Sequence, residues 1–104
     1  MPIVFWFSRL KPGIMPGAYE RWVRDVDYHE ARQIPSIRSY HVFRVNGPYV
    51  GETTPCDYVE VVDITNIDDY RRDIAEHPAA ARIVAEIGKY VESIGSAWGD
   101  LIDR

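Results

Sequence analysis

The sequence has 104 residues, which is the length of one small domain, here taken as residues 1–104. Lysine and arginine total 12 against 16 aspartates and glutamates, and the resulting net charge of −4 argues against nucleic acid or an anionic membrane as a partner. The single cysteine, Cys56, excludes an internal disulfide and favours a reducing, cytoplasmic compartment, and the apolar run at residues 3–7 is too short for a signal peptide or a membrane span.

Residues 3–10 predict the first strand, and this strand is apolar on both faces. Ile3, Phe5 and Phe7 alternate with Val4 and Trp6, and the second face continues through Ser8 and Leu10. A strand that is apolar on both sides is buried on both sides, so we expect it at the centre of its sheet.

A helix is predicted to begin at Pro16 and to end before residues 34–36, where Pro35 interrupts the helical pattern. Its apolar stripe follows spacings of three and four residues and includes Tyr19, Trp22, Val23, Val26 and His29.

The rest of the chain predicts two strands, two helices and a last short strand. The strands cover residues 37–46 and 58–64, and a long loop joins them. A short helix follows from residue 65 to residue 76, where Thr65 and Asp68 resemble a capping box. Pro78 begins another helix, whose apolar stripe extends to Ile94 and ends at Gly95. Residues 97–102 predict the fourth strand.

The order βαββααβ predicts an α+β fold of the ferredoxin-like kind, with helices on one face of a four-stranded antiparallel sheet. The other sheet face would then expose the aromatic side chains of the first strand. Soluble monomers avoid such patches, so we expect a homodimer that packs sheet against sheet.

The three histidines are the first candidates for proton transfer, because their usual pKa lies near neutral pH. His29 is predicted on the apolar stripe, either as a partnered core residue or as a polar group in a cavity. His77 precedes Pro78, so it either caps the last helix or acts as a neutral base there. His41 is read first as a residue of the dimer interface or barrel interior, and second as a substrate contact.

A binding pocket is expected between the helices and the sheet, lined by Trp6, Ser8, Tyr40 and His29. Tyr70 and Trp98 are further aromatic candidates, although aromatic residues at such positions also form simple cores. The segment 29–33 resembles a zinc-protease motif, but Gln33 replaces the second histidine, so no metal site is predicted. Phosphate loops and dinucleotide fingerprints are also absent from the sequence, and we therefore expect no cofactor.

Several segments resemble a known group of proteins. The turn at residues 34–37, the segments 27–29 and 40–44, and the run His77-Pro78 with residues 79–82 resemble RedY/HapK-type proteins of prodigiosin and bisindole pathways, in the dimeric α/β-barrel superfamily. The resemblance covers nearly the whole chain, and it adds Tyr28 to the substrate-binding candidates. Tyr70 and His77 resemble part of a motif of plant-type cyclases in this superfamily, but Ala80 replaces its second histidine.

The resemblance implies a small cofactor-independent protein of secondary-metabolite biosynthesis. We expect it to bind an aromatic pyrrole or indole intermediate and to assist cyclisation or condensation, with His29 and His77 moving protons. The alternatives are a non-catalytic carrier of a reactive intermediate, together with another pathway enzyme, and a cofactor-free monooxygenase.

Overall fold

A computed structural model describes residues 1–103 of the chain, in which strands and helical segments follow the predicted order. The bounds are β1 (Pro2–Leu10), α1 (Pro16–Trp22), a π-helical turn (Val23–Asp27), α2 (Tyr28–Ala31), β2 (Ile37–Arg44), β3 (Tyr58–Ile64), α3 (Ile67–Glu76), α4 (Pro78–Ile87) and β4 (Val91–Asp100). Strand β2 ends two residues before its predicted limit, and β3 has its predicted bounds.

The four strands form one antiparallel sheet with the order β2-β3-β1-β4. Strand β1 lies between β3 and β4, which confirms its predicted central position. On β1, Trp6 lies opposite Glu60 of β3 and opposite Ser96 of β4. This sheet, with the βαββααβ order, confirms the predicted ferredoxin-like α+β fold.

One face of the sheet, here called the inner face, carries the helices and the core. Three groups of buried side chains form this core. They are Tyr19, Trp22 and Val23 with Tyr58 and Val91; Val4, Val62 and Ile64 with Tyr70; and Ile34 with Ala79 and Ala80. Apolar burial between helices and sheet is therefore the main source of stability.

The opposite face of the sheet, here called the outer face, is not covered within residues 1–103. It carries Ile3, Phe5, Phe7, Val59 and Val61, which are half-buried, and Phe43, which is 55% exposed. Strand β4 adds small residues here, since Gly95 and Ala97 lie opposite Phe7 and Phe5. The outer face is therefore apolar, and the side chains of these small residues project little from its surface.

The predicted boundary between the last helix and the last strand is wrong. Helix α4 ends at Ile87, a turn follows at Gly88, and β4 begins at Val91 and runs for ten residues. Residues 91–93, within the segment assigned above to the helical stripe, pair with β1 instead, and Ile94 lies at a bulge opposite Phe7 and Ser8. Pairing with the central strand overrides a helical apolar spacing that four residues alone cannot distinguish from a strand.

The predicted burial of His29 is also wrong, because the first helix contains the π-helical turn. In a π turn the backbone N–H bonds to the carbonyl five residues earlier, not four, so the turn contains one residue more than an α turn. The inward face thus passes from Val23 to Asp27 and Ala31, all of which are buried, and His29 lies exposed.

The cap of α3 lies one residue later than predicted. Asn66, not Thr65, is the N-cap, and its Oδ1 accepts a hydrogen bond from the backbone N–H of Asp69 at 2.8 Å. The Asn66 amide donates in return to the Asp69 carboxylate. The return hydrogen bond thus comes from the Asn66 side chain, whereas in a capping box it comes from the backbone N–H of the N-cap residue.

Within residues 1–103, no helix combines the length and the apolar character needed to cross a membrane.

Candidate functional site

A cavity of about 190 Å³ lies between the inner face of the sheet and the helices. Most of its wall is apolar, from Ile34, Ile37, Ile74, Ile83, Val84, Ile87 and Val91. The polar groups in the wall are few, and they come from Ser8, Tyr40, Glu60, Tyr70 and Ser93. An apolar cavity with few polar groups is the usual form of a small-molecule site.

Glu60 reaches this cavity because of the alternation of strand β3. Tyr58, Glu60, Val62 and Ile64 all point to the inner face and are buried, and Glu60 is only 8% exposed. The cross-strand neighbours of Glu60 are Trp6 and Val42. A carboxyl group therefore stands in a row of side chains that otherwise form the core.

Asp27 is a second carboxyl group in the same region, and it is 0% exposed. It is the last residue of the π-helical turn, which directs it toward the sheet. A charged residue at this depth is rare unless it has a partner or a function.

The hydroxyl of Tyr40 joins the two carboxyl groups. It lies 2.8 Å from Oδ2 of Asp27 and 3.0 Å from Oε1 of Glu60. A phenol has one hydrogen, so it donates to one carboxylate at a time. The second contact is a hydrogen bond only when the other carboxyl group carries a proton, and this arrangement favours one shared proton in the cluster.

Burial shifts the pKa of every member of this cluster upward. It raises the pKa of Glu60 to about 7, with the charge of Asp27 adding to the effect and the Tyr40 hydrogen bond opposing it. It raises the pKa of Asp27 to about 6, again against the Tyr40 hydrogen bond. The pKa of Tyr40 is raised well above its ordinary value, mainly by burial. Glu60 is thus a carboxyl group that exchanges its proton near neutral pH, as a general acid or base requires.

Some polar atoms beside this cluster are buried without a hydrogen-bond partner in the described residues. They include Oγ of Ser8, Oδ1 of Asp27 and the hydroxyl of Tyr19. Ser8 lines the cavity, and Tyr19 faces the two acids closely enough that their charges help burial to raise its pKa. Unpartnered buried groups are uncommon in folded proteins, and a ligand in the cavity would satisfy Ser8.

Trp6 and Tyr70 form another part of the wall. The indole Nε1 of Trp6 donates to the hydroxyl of Tyr70 at 3.1 Å. The same two side chains also line a groove between α3 and β4, where Trp98 lies. Trp98 is therefore placed beside the cavity wall, on its far side from Glu60.

The structure brings four of the predicted substrate-binding residues together in the cavity: Trp6, Ser8, Tyr40 and Tyr70. Tyr28 lies outside it, and its hydroxyl accepts the backbone N–H of Val42 at 3.0 Å. His41 is exposed on β2, with its ring centroid 6.3 Å from that of Phe43. The substrate-binding role of these residues stays a prediction.

The two histidines predicted to transfer protons do not line this cavity. His29 is exposed, as described above. His77 is the N-cap of α4, and its Nδ1 accepts the backbone N–H of Ala79 at 3.0 Å. This hydrogen bond confirms the predicted cap, and proton transfer by either histidine stays a prediction.

Sequence reasoning missed both acids. The signal for Glu60 was present, since it alternates with Tyr58, Val62 and Ile64 in a predicted strand. No comparable signal existed for Asp27, because its position depends on the π-helical turn. Among residues 1–103, no group of three or more His, Cys, Asp or Glu side chains is placed to hold a metal ion.

Comparison with known proteins supports this description of the fold. HapK from Hahella chejuensis is 26% identical, with a TM-score of 0.84, over 100% of this chain and 95% of that one. A dimeric ferredoxin-like protein of unknown function from Thermobifida fusca YX is 18% identical, with a TM-score of 0.73, over 96% of this chain and 90% of that one. SnoaB, a cofactor-independent oxygenase from Streptomyces nogalater, is 14% identical, with a TM-score of 0.70, over 99% of this chain and 95% of that one.

The likenesses to the T. fusca protein and to SnoaB show the fold alone. No significant match is found among curated protein sequences. The sequence model of the family described as REDY-like protein HapK matches residues 2–102, nearly the full length. The chain therefore belongs to the REDY-like HapK family.

Proposed function

We propose that this protein binds a pyrrole- or indole-containing intermediate in the cavity and assists its condensation or cyclisation, without a cofactor. The setting would be the assembly of a prodigiosin-type pigment or a related secondary metabolite. The observation that carries the proposal is a single one. Glu60, a buried carboxyl group hydrogen-bonded through Tyr40 to Asp27, opens onto a mostly apolar cavity.

The proposed reaction needs a group that both gives and takes a proton. When a ring carbon bonds to a carbonyl carbon, the carbonyl oxygen gains a proton and the ring carbon loses one. Protonated Glu60 donates the first proton, and the resulting carboxylate accepts the second, so that Glu60 returns to its initial state. The product of this step is an alcohol. A further proton from Glu60 lets its hydroxyl group leave as water, and the carboxylate then takes a ring N–H proton, which gives the conjugated condensation product. A pKa near 7 allows both steps near neutral pH.

The relay behind Glu60 supports this role. Tyr40 can pass its proton to Glu60 and receive one from Asp27 along contacts of 3.0 and 2.8 Å. Asp27 is fully buried, and this series of hydrogen bonds connects it to the cavity. The apolar wall limits water around the reacting groups, which strengthens each of these hydrogen bonds.

A condensation assay tests the proposal. The purified protein is mixed with a formylpyrrole and an alkylpyrrole, whose condensation product absorbs visible light. We expect product to form faster than without protein, and the rate to fall by about 100-fold or more in Glu60→Gln, which keeps the shape but not the proton. Glu52→Gln is the control, because Glu52 is exposed in the β2–β3 loop.

The outcome also separates the alternatives. Ligand bound and released unchanged indicates a carrier, and oxygen consumption that depends on the protein indicates a cofactor-free monooxygenase. Full activity in Glu60→Gln contradicts the proposed role of Glu60. His29→Asn in the same assay tests the role that the sequence predicted for His29.

We further propose that the protein is a homodimer in which the outer faces of two sheets pack together. The support is an apolar face with Phe5, Phe7 and Val61 near its middle and Phe43 at its edge. A single chain leaves this face open, and sheets of this kind pack face to face about 10 Å apart. The T. fusca neighbour is described as dimeric, which agrees with this proposal.

A cytoplasmic location remains our expectation, and its support is the single cysteine, Cys56, which is buried as a free thiol.

A further inference from the structure

The two acids at the cavity have no basic partner. The ion pairs of residues 1–103 all lie elsewhere, between Arg44 and Glu20, Arg72 and Asp69, and Arg82 and Glu30. Glu60 and Asp27 instead share the hydroxyl of Tyr40, which supplies one hydrogen and no positive charge. The cluster is therefore uncompensated whenever either acid is ionised.

An uncompensated carboxylate in an apolar region is unfavourable, and a nearby cation removes much of that cost. The walls of this cavity supply no lysine, arginine or histidine side chain. A positive charge can therefore reach Glu60 only with what enters the cavity.

Ser8 is a second and independent sign of a ligand. It is 6% exposed, it lines the same cavity as Glu60, and its Oγ has no hydrogen-bond partner in the described chain. On the adjacent strands β1 and β3, Trp6 lies opposite Glu60 and Ser8 opposite Tyr58. Ser8 and Glu60 are thus diagonal neighbours on the inner face, with roughly 7–8 Å between such positions.

We infer that this cavity selects aromatic ligands that carry a positively charged nitrogen, with Glu60 as the counter-ion and Ser8 as the second hydrogen-bonding group. The inference rests on the proposed function for the choice of site. It also deepens it, because the ring nitrogen of a pyrrole or indole takes positive charge when its ring carbon bonds to a carbonyl carbon. A carboxylate held beside that nitrogen stabilises the charge as it develops.

Binding of such a ligand should release a proton. The titratable groups that face Glu60 are Asp27 from the π-helical turn, Tyr19 from α1, Tyr40 from β2 and Tyr70 from α3. None of these is a cation, so no positive charge of the protein stabilises the Glu60 carboxylate. A positively charged ligand would stabilise it and so counteract the effect of burial on the pKa of Glu60. The pKa of Glu60 then falls, and near pH 7 its proton leaves to the buffer.

Three indole probes of similar shape test the inference on the unaltered protein. They are tryptamine, which is positively charged, 3-ethylindole, which is neutral, and indole-3-propionate, which is negative. By calorimetry we expect tryptamine to bind at least about tenfold more tightly than the propionate, with the neutral compound between them. Repeating the titration in buffers of different ionisation enthalpy should show proton release with tryptamine alone.

Two variants assign the effect to the named residues. Glu60→Gln should abolish both the preference for tryptamine and the proton release, and Ser8→Ala should weaken tryptamine binding while proton release persists. Glu52→Gln, at an exposed position, should behave as the unaltered protein. Circular dichroism verifies that each variant is folded, and the three-probe comparison stands without any variant.

The inference is overturned if the propionate binds as tightly as tryptamine, if tryptamine does not bind, or if proton release persists in folded Glu60→Gln. Condensation activity that continues alongside any of these results leaves the proposed function standing without this selectivity. Selective tryptamine binding in a protein that condenses no pyrrole supports the inferred selectivity of the cavity and contradicts the proposed reaction.

Discussion

At the residue scale, the cavity is defined by two acids that the fold keeps from water. Asp27 and Glu60 have pKa values raised to about 6 and about 7 from ordinary values of 3.8 and 4.5, mainly by burial. Each therefore holds its proton more tightly in the folded chain than in the unfolded chain. Their stabilising contribution is complete below pH 4 and is lost as the pH rises through 6 and 7.

We therefore predict that the free energy of unfolding falls between about pH 4.5 and pH 8, by on the order of a few kcal/mol. Urea denaturation across this range measures it. Glu20, whose hydrogen bonds to Arg44 and Tyr58 lower its pKa to about 2, has the opposite sign but acts at lower pH. The window from pH 4.5 upward therefore reports mainly on the buried pair.

Asp27→Asn should flatten this pH dependence, because the amide cannot titrate and no longer raises the pKa of Glu60. Asp25→Asn is a matched control, since Asp25 lies in the same π-helical turn and is exposed. A profile that has the same slope in Asp27→Asn as in the unaltered protein would show that these acids do not control stability.

The residues of the site differ in how far the sequence could predict them. Trp6, Ser8 and Tyr40 follow from strand alternation, which requires only that the inner face be identified. Glu60 follows from the same rule, but it was not among the predicted site residues. Asp27 could not be placed, because its inward direction depends on a π turn that no periodic pattern of α type describes.

At the element scale, the errors lie at the ends of elements and at the π-helical turn inside the first helix, and not in the order of elements. The stripe through Ile83 and Ile87 predicts α4 correctly, but its extension to Val91 and Ile94 does not. Those two residues belong to β4, whose position is determined by pairing with β1, a contact distant in sequence. Such pairing is not visible in a local pattern, whereas Pro78 at the start of α4 is a local signal and was read correctly.

His77 gives a prediction at this scale, because its side chain caps α4. His77→Ala should lower the free energy of unfolding by about 1 kcal/mol, whereas His77→Asn should keep it, since asparagine is among the best N-caps. Chemical denaturation at one pH measures both changes. Equal stability of His77→Ala and the unaltered protein would mean that the cap does not contribute.

The same pair of variants separates capping from catalysis. Normal turnover in His77→Asn restricts His77 to its structural role. A loss of turnover in this variant, with stability unchanged, would give His77 the proton-transfer role that the sequence predicted.

At the scale of the whole molecule, the architecture was predictable because two observations together constrained it. A first strand that is apolar on both faces must lie centrally, and the βαββααβ order leaves helices for only one of those faces. The outer face is the consequence. Its residues come from all four strands, so it is a property of the sheet and not of any one segment.

Val61 offers the last prediction, which concerns this outer face. Val61 lies between Phe5 of β1 and His41 of β2, near the middle of the face, and it is half-buried in the single chain. We expect the unaltered protein to sediment at about twice the mass of one chain throughout the micromolar range. Val61→Lys should shift it to the mass of one chain, because the partner sheet would bury an unpaired ammonium group. In the single chain the lysine reaches water past its neighbours, so the fold and its cooperative thermal unfolding should persist.

Met15→Lys, at a 71% exposed position before α1, is the control and should remain dimeric. If the unaltered protein sediments as single chains, or if Val61→Lys remains a dimer, the outer face is not the interface between two copies.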